Sequence, residues 1–471
     1  ETDTKDMQKM RIESDLLGEL SVPEMAYYGI QTQRAINNFQ ISNHKLNHYP
    51  EFIKALAIVK LGAAQANNEL GVLSDTHYQA IEYACRELLK GNYADQFPVD
   101  MIQGGAGTSV NMNANEVIAN IALEFLGKKK GDYQYCSPND QVNLSQSTND
   151  AYPTALKIAL FEMNKPLTEA LEQLSLALDK KAKEFSTVIK MGRTQLQDAV
   201  PMTLGQEFEG FSFTLKKEVD HLHRVAQQFL EINMGATAIG TGLNAVPGYA
   251  TLCTQKIADL LKEPVQLADN LVEATSDTSA FVDYSSALKK LSIKLSKICN
   301  DLRLLTSGPR AGLFEINLPP KQPGSSIMPG KVNPVIPEVV NQVCYKVLGN
   351  DLTVSFAAEA GQLQLNVMEP VIGFSIIESI QYLTNAMTTL RQECVEGITA
   401  NTEHLKQEVQ NSIGIVTALN PYLGYKTSTK IAKEALATNG SVYHLVLEYG
   451  LLSKQQLDTI LDPKNMLGPE H

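Results

Sequence analysis

The clearest repeat of apolar positions lies between Phe281 and Leu305. The positions are Phe281, Tyr284, Leu288, Leu291, Leu295, Ile298, Leu302 and Leu305, at alternating spacings of three and four. Such a heptad seam predicts one long helix that packs along its whole length. We expect the helix to end at Ser307-Gly308-Pro309, because glycine and proline both oppose further helix.

Three further stretches have the apolar content of long helices: Met202 to about Asn233, Pro337 to about Val367, and Ile372 to Cys394. The first contains no proline and repeats apolar residues mainly at helical spacing. We interpret these stripes as core packing, with no cofactor site implied. Helices of this length exceed what a small core needs, so they predict an elongated bundle that assembles with other subunits.

Signals for β-strands are sparse. The alternation from Tyr133 to Leu144 is compatible with either a hairpin or a loop. Glycine-rich turns mark the first part of the chain, whereas Asn420-Pro421 and Asn439-Gly440 predict turns in the last part. We predict a mainly α protein of three domains. They are a mixed, mostly helical domain (1–148), a central long-helix domain (149–403) and a small helical domain (404–471).

Composition and charge limit the classes of partner. The 471 residues are 44% apolar and 20% charged, which is typical of a soluble globular protein. The formal net charge of −12 argues against nucleic acid as a partner, because an acidic surface repels a phosphate backbone. It also repels small dicarboxylates. An anion site must therefore be local and built from a lysine and backbone N–H groups.

The sequence predicts a cytoplasmic protein without a membrane span. Its six cysteines are scattered and form no CxxC pair, which is typical of reduced, buried thiols. Residues Glu1 to Ser14 lack the apolar core of a signal peptide. The most apolar stretch, Leu363 to Leu383, contains Glu369, Pro370 and Glu378, so it does not supply the ~20 apolar residues of a span.

The most unusual segment runs from Gly324 to Pro334, with the sequence GSSIMPGKVNP. Gly324 and Gly330 permit backbone conformations that other residues rarely adopt, and the N–H groups of such a turn can bind an anion. Lys331 adds a charge suited to a carboxylate. The glycines near both ends would also let the segment move as a lid. A purely structural turn is the alternative. The spacing of the glycines argues against a P-loop, and so does Val332, which follows the lysine.

Three other segments concentrate small polar residues. They are Gly104–Ser109 followed by Asn111, Asn113 and Asn115, then Ser145–Asp150, and then Gly192–Asp198. Each alone is more typical of a helix cap or a turn, because Ser, Thr, Asn and Asp cap helices. Four such segments in one helical protein are harder to explain as caps and turns alone.

Metal and nucleotide chemistry have little support in the sequence. His44 and His48 lie in a Pro/Asn-rich stretch, and His221 and His223 point to different faces of a helix. The chain has no HExxH motif, no cysteine pair and no GxGxxG pattern in a βαβ unit. We therefore expect no metal site and no cofactor. Activation by a divalent cation is left open.

The segment Gly324–Pro334 resembles the signature of the fumarase/aspartase superfamily, and the other three polar segments resemble conserved regions of this family in the same order. The resemblance covers nearly the whole chain. It implies a mainly α homotetramer in which long helices from four subunits form one bundle. Each active site would draw residues from three subunits and bind a small dicarboxylate.

Local signatures narrow the resemblance. Glu315–Pro319 and Pro334–Gln342 resemble aspartases more than fumarases, and Gln195 stands where most fumarases carry histidine. The implied reaction is the elimination of ammonia from L-aspartate to give fumarate. Two alternatives remain: a fumarase, which hydrates fumarate to malate, and a non-catalytic structural relative.

This reaction removes a weakly acidic Cβ proton, so the site must bind the β-carboxylate more tightly as it becomes an aci-carboxylate dianion. The resemblance implies that this carboxylate is held by Thr108, Ser147, Thr148, Thr194 and Gln195. It further implies that Lys331 and Asn333 bind the α-carboxylate, that Asn149 orients the ammonium group and that Ser326 lines the closed site.

The resemblance also implies that Ser325 is the general base. A serine is a weak base until its alkoxide is stabilised, and backbone N–H groups at Ile327 and Met328 would do so. Lys331 would add positive potential. We expect Glu338 to support the site from behind.

Overall fold

A computed structural model describes residues 9–462 and 465, and helices dominate this part of the chain. The helices are α1 (Ile30–Asn38), α2 (Pro50–Glu69), α3 (Asp75–Leu89), α4 (Thr108–Phe125), α5 (Thr148–Glu184), α6 (Leu204–Ala226), α7 (Tyr249–Leu261), α8 (Leu271–Ser276), α9 (Ser279–Leu305), α10 (Val335–Glu359), α11 (Glu369–Glu393), α12 (Thr402–Asn411), α13 (Ile415–Leu423), α14 (Tyr425–Thr438), α15 (Val442–Glu448) and α16 (Lys454–Ile460). The mainly α fold class is confirmed.

The strands within the described residues form four two-stranded sheets. They are β1 (Met10–Asp15), β2 (Gly18–Pro23), β3 (Ile189–Thr194), β4 (Gln197–Thr203), β5 (Glu231–Ile232), β6 (Gln266–Leu267), β7 (Ile316–Asn317) and β8 (Thr399–Ala400). Three of the pairs are antiparallel and β5–β6 is parallel. The sequence did not predict the β1–β2 and β3–β4 hairpins.

The chain divides into two compact units. The first contains the described residues up to Leu167, with His221–Lys289 and Val347–Gln381. The second contains Thr168–Asp220, Lys290–Lys346 and the described residues from Tyr382 onward. The predicted three-domain division, with boundaries after residues 148 and 403, stays a prediction.

The heptad seam is confirmed by α9. All eight apolar residues of the seam are buried, and the helix ends at Leu305, just before Ser307-Gly308-Pro309. The helix predicted from Pro337 instead ends at Glu359, earlier than expected. The Asn366 side chain explains the early end, because its amide donates to the carbonyl oxygens of Ala357 and Ala358 at 3.1 and 3.2 Å.

The longest helix, α5, was missed because Pro153 and Pro166 lie inside its 37 residues. Proline lacks the N–H that would bond to the carbonyl four residues earlier. For Pro153 this carbonyl belongs to Asn149, and the Asn233 side-chain amide donates to it at 3.2 Å. A partner 84 residues away therefore satisfies the group that the proline leaves free.

Three local predictions have different outcomes. Asn420-Pro421 does not form a turn but lies inside α13, so that prediction was wrong. Asn439 does end a helix, because it adopts a left-handed conformation with φ 52° directly after α14. The stretch from Tyr133 to Leu144 is a loop with one π-helical turn at Pro138–Val142, so the loop alternative is confirmed.

The first unit packs α2 closely against α3 and α7. Gly62 makes the approach of α7 possible, because a Cβ at this position would lie 2.7 Å from Cγ1 of Ile257. In the second unit the last helices bury a separate cluster that includes Ile415, Leu419 and Leu457. The strand β3 lies against α12 beside this cluster.

Asp100 joins two loops of the first unit. Its Oδ2 accepts hydrogen bonds from the N–H groups of Ile41 and Ser42, both at 2.8 Å. Its Oδ1 accepts from the Ser42 hydroxyl at 2.6 Å and from the N–H of Ile102 at 2.9 Å. Burial raises the pKa of Asp100, but these hydrogen bonds outweigh it and lower the pKa below the ordinary 3.8.

We predict that Asp100→Asn destabilises the protein by about 1–3 kcal/mol at pH 7, because the new NH₂ group faces donors in place of an acceptor. A carboxyl with a lowered pKa contributes its stabilisation above its unfolded-state pKa and loses it as pH falls through the folded-state pKa. Urea unfolding at pH 7 and in acid would measure both effects. Asp259→Asn, on an exposed face of α7, is the control. An unchanged midpoint for Asp100→Asn at pH 7 would contradict the prediction.

Candidate active site

Ser147 and Thr148 form the N-terminus of α5 in the first unit. The hydroxyl of Ser147 accepts from the N–H of Asn149 at 3.2 Å, and the carboxylate of Asp150 accepts from the N–H of Ser147 at 2.9 Å. The segment therefore does serve as a helix cap. The start of a 37-residue helix also carries partial positive charge, which favours a carboxylate nearby.

Asp150 anchors this segment from inside. It is completely buried, and burial raises its pKa to about 6, against the effect of hydrogen bonds from backbone N–H groups. The N–H of Gly235 donates to its second oxygen at 2.8 Å. The segment after β5 therefore holds the start of α5 in place.

Thr108 begins α4, after the glycine-rich turn. Its hydroxyl donates to the carbonyl oxygen of Gly105 at 2.8 Å. Gly107 has φ 95°, and a Cβ there would lie 2.4 Å from the ring of Tyr152. Only glycine fits this position, so the turn is fixed by its contact with α5.

Asn149 lines a cavity of about 360 Å³ in the first unit. The cavity is also lined by Ala238, Gln362 and Gln364. The amide of Asn149 donates to the carbonyl oxygen of Ala238 at 2.7 Å. The volume suits a small polar molecule, and amide groups border it.

A buried lysine was missed by the sequence reasoning. Lys60 lies on α2 with no exposed surface, and its Nζ donates to side-chain oxygens of Asn111 at 2.6 Å, Asn143 at 3.2 Å and Gln146 at 2.8 Å. Burial lowers its pKa to about 7, although Asp150 acts in the opposite direction. The available signal was one lysine inside the apolar run from Ala55 to Ala64.

Thr194 and Gln195 lie at the exposed tip of the β3–β4 hairpin in the second unit. Gln195 and Leu196 form the two-residue turn, with φ 55° and 61°. Such turns usually contain Asn or Gly, because both central residues are left-handed. Gln-Leu therefore strains the backbone at a predicted substrate-binding position.

Charged side chains hold the base of this hairpin. Glu315 is fully buried and pairs with Arg193 through one oxygen and with Lys190, at 2.6 Å, through the other. Arg193 also approaches Glu408 of α12 at 3.6 Å, and Lys190 pairs with Glu207. These pairs fix the strand that ends at Thr194.

Ser325 lies half-buried in the loop before α10. Its Oγ accepts hydrogen bonds from the N–H groups of Ile327 at 3.1 Å and Met328 at 3.3 Å. Two donors on one hydroxyl oxygen favour the alkoxide over the neutral hydroxyl. The contacts expected from the sequence are therefore present.

The ends of this loop are joined. The amide of Asn333 donates to the carbonyl oxygen of Gly324 at 2.9 Å. A Cβ on Gly324 would lie 2.0 Å from the carbonyl oxygen of Lys331, so only glycine allows this closure. The side chains of Ser326 and Lys331 are exposed, and Glu338 is half-buried in the first turn of α10.

The predicted site residues thus form groups within each unit. Thr108, Ser147, Thr148 and Asn149 belong to the first unit, and Thr194, Gln195, Ser325, Ser326, Lys331, Asn333 and Glu338 belong to the second. In the first unit Asn111 connects to Thr148, since its amide donates to that hydroxyl at 3.2 Å. Within the described residues, no group of three or more His, Cys, Asp or Glu side chains is placed to hold a metal ion.

Comparison with known proteins identifies the family. A family model described as lyase matches residues 18–349, and one described as the C-terminus of fumarase C matches residues 415–468. A protein named aspartate ammonia-lyase from Pseudomonas aeruginosa is 58% identical over 460 residues, covering 98% of this chain and 97% of that protein.

Two solved structures share the fold. A fumarate lyase:delta crystallin from Brucella melitensis, bound to cobalt, has a TM-score of 0.95 and 53% identity, covering 98% of this chain and all of that one. A class II fumarase from Schistosoma mansoni has a TM-score of 0.90 and 34% identity, with 98% and 100% coverage. The resemblance inferred from Gly324–Pro334 is thereby confirmed, and the chain belongs to the lyase family that includes the aspartate ammonia-lyases and the fumarases.

Proposed function

We propose that this chain is a carbon–nitrogen lyase that reversibly eliminates ammonia from L-aspartate to give fumarate. One observation carries the proposal: the Ser325 hydroxyl oxygen accepts hydrogen bonds from the backbone N–H groups of Ile327 and Met328. The 58% identity to an aspartate ammonia-lyase over nearly the whole chain supports aspartate as the substrate.

The reaction begins at Cβ of the substrate. The Ser325 alkoxide takes the Cβ proton, and the electron pair of the broken C–H bond moves into the β-carboxylate to give the aci-carboxylate dianion. That pair then returns to form the Cα–Cβ double bond while the Cα–N bond breaks. The nitrogen leaves as ammonia from an already protonated ammonium group, so little acid assistance is needed.

The β-carboxylate gains a full negative charge in this step, so its donors matter most in the transition state. We assign this role to Thr108, Ser147, Thr148, Thr194 and Gln195. The start of α5 supports the assignment, because its partial positive charge acts on the same carboxylate. The α-carboxylate binds Lys331 and Asn333, the ammonium group contacts Asn149, and Ser326 lines the closed site.

The loop Gly324–Pro334 acts as a lid. Ile327 and Met328 expose 85% and 52% of their surface. Apolar side chains at this exposure gain free energy when they are covered. Closure over bound aspartate would bury both side chains, exclude water and bring Ser325 to the substrate. Glu338 supports the loop from the first turn of α10.

The enzyme acts as a homotetramer, with each site built from three subunits. Tyr345, Leu352 and Phe356 support this assembly, because each is more than half exposed on α10. Spacings of seven and four place them along one face of the helix. Unpartnered apolar faces of this kind mark protein interfaces.

We also propose a cytoplasmic location. All six cysteines are buried and unpaired, which suits a reducing compartment. Among the described helices, none is long and apolar enough to cross a membrane.

Fumarate formation from L-aspartate, followed by ultraviolet absorbance, tests the substrate. We predict turnover of L-aspartate with release of ammonia, and little fumarate from L-malate at the same concentration. The physical reason is that the site orients an ammonium group, which malate lacks. Turnover of malate alone would identify a fumarase, and no turnover of either acid would identify a non-catalytic relative.

Ser325→Ala should lower kcat by about 10³-fold, because it removes the group that takes the Cβ proton. Binding of L-aspartate, measured by calorimetry, should change little. Ser186→Ala removes the hydroxyl of an exposed serine in the same unit and is the matched control. Near-normal kcat in Ser325→Ala would show that another group is the base.

Lys331→Ala should raise KM for L-aspartate by roughly 10–100-fold, because a charged hydrogen bond to the α-carboxylate contributes about 1.5–3 kcal/mol. Lys321→Ala is the control, since Lys321 carries the same charge but pairs with Glu393. Steady-state kinetics on both variants would separate the local contact from net charge. Equal KM values for the two variants would remove Lys331 from the carboxylate site.

A further inference from the structure

We propose that Lys60 is a positioning residue that fixes the direction of a hydrogen-bond chain ending at Thr148, so that the Thr148 hydroxyl donates to the substrate carboxylate. The chain runs from Lys60 to Asn111, from Asn111 to Thr148, and from Thr148 to the β-carboxylate. The inference rests on the proposed function, because it assigns Thr148 to that carboxylate.

The surroundings of Lys60 call for an explanation. A buried ammonium is costly unless it is paired, and none of the ion pairs within residues 9–462 includes Lys60. Its three partners are all neutral amide oxygens. The charged groups and thiols that act on it from neighbouring helices are Asp150, Cys85 and Cys253. A leucine or methionine would fill this position on α2 without the cost of burying a charge.

The three contacts determine which way the amides face. An ammonium has three N–H donors, and each finds one amide oxygen. The oxygen of Asn111 therefore points to Lys60, and its NH₂ group points the other way. That NH₂ group donates to Oγ1 of Thr148 and to the oxygen of Asn143, both at 3.2 Å. The oxygen of Asn143 also accepts from Asn115 at 3.1 Å, which fixes its orientation too.

The direction of the hydrogen-bond chain decides whether the Thr148 hydroxyl can donate to a ligand. A hydroxyl has one proton, and the Thr148 oxygen already accepts from Asn111. No hydrogen bond described for residues 9–462 uses the Thr148 hydroxyl as donor, so its proton is available to a ligand. Thr108 differs, since its hydroxyl already donates to the carbonyl of Gly105.

The hydrogen-bond chain also makes the Thr148 hydroxyl a stronger donor toward the β-carboxylate. Hydrogen bonds in series polarise one another, and a cation at the head draws electron density along the chain. The Thr148 hydroxyl then donates more strongly as the β-carboxylate becomes a dianion. An effect confined to the transition state lowers kcat when it is lost and leaves KM nearly unchanged.

Asn111→Asp tests the direction directly. Aspartate has the same shape and still accepts from Lys60, but it has no NH₂ group to donate to Thr148. The Thr148 proton would then turn toward the new carboxylate and away from the substrate. We expect kcat for L-aspartate to fall by about 10²-fold, the cost of losing one preorganised donor, with KM within a few-fold of wild type.

A double-mutant cycle with Thr148→Val separates this role from a structural one. Thr148→Val removes the hydroxyl and should lower kcat by a similar factor. If Asn111→Asp acts by redirecting that hydroxyl, kcat of the double variant should be about the same as kcat of the slower single variant. If the fold reductions in kcat of the two single variants multiply in the double variant, Asn111 and Thr148 act independently, and this would overturn the proposal.

The matched control is Asn113→Asp. Asn113 is buried on the same helix, but its amide donates to the carbonyl of Gln96 and not to Thr148. This variant should lower the melting temperature and keep kcat near wild type. An equal fall in kcat for Asn113→Asp would attribute the effect to any buried carboxylate on α4, and the proposal would fail.

If Asn111→Asp does not fold, Lys60→Met replaces it in the cycle, because it removes the charge and keeps an unbranched side chain that is one atom shorter. It too should lower kcat without adding to the cost of Thr148→Val. Wild-type turnover of L-aspartate is measured first. Absence of turnover would contradict the proposed function and, with it, this inference. Wild-type turnover, combined with reductions in kcat that multiply in the double variant, would contradict the hydrogen-bond chain alone.

Discussion

The continuous burial of one apolar stripe along α9 is the interaction on which the architecture depends. Eight large side chains of the stripe are buried over the length of the helix. Burying each contributes on the order of 1.5–3 kcal/mol, which an isolated helix in water does not gain. A stripe of this length requires partners of similar length. Hydrogen bonds and an ion pair join α9 to three long helices, to α5 through Asn164, to α10 through Asp351 and to α6 through Glu218.

Long helices place their ends far apart in sequence, and many of the predicted site residues lie next to such ends. Thr108 begins α4 and Thr148 begins α5. The Ser325 loop directly precedes α10, and the hairpin with Gln195 directly precedes α6. The N-terminus of a helix carries partial positive charge and free N–H groups. A chain with a net charge of −12 can therefore still offer local sites to a dicarboxylate.

The proposed site uses neutral donors more than exposed cations. Ser325 is supported by two backbone N–H groups, and Thr148 by the amide of Asn111. Lys60, a completely buried lysine of the first unit, contacts the oxygen of Asn111, whose amide donates to Thr148. Preorganised neutral donors suit a reaction in which charge builds up only in the transition state. Free cations would bind substrate and transition state alike.

The sequence by itself determined the features that depend on neighbours in the chain. Helical spacing predicted α9, because the spacing of apolar residues reflects the geometry of one helix, and Gly308-Pro309 predicted its end. The composition of Gly324–Pro334 predicted a tight anion-binding turn, and its motif indicated the family. Tertiary structure decided whatever depends on distant partners. Asn233 permits Pro153 inside α5, and Asn366 ends α10 early. The role proposed for Lys60 depends on its contacts with Asn111, Asn143 and Gln146. Local spacing carries no information about such contacts, because they join residues that lie from nine to 86 positions apart.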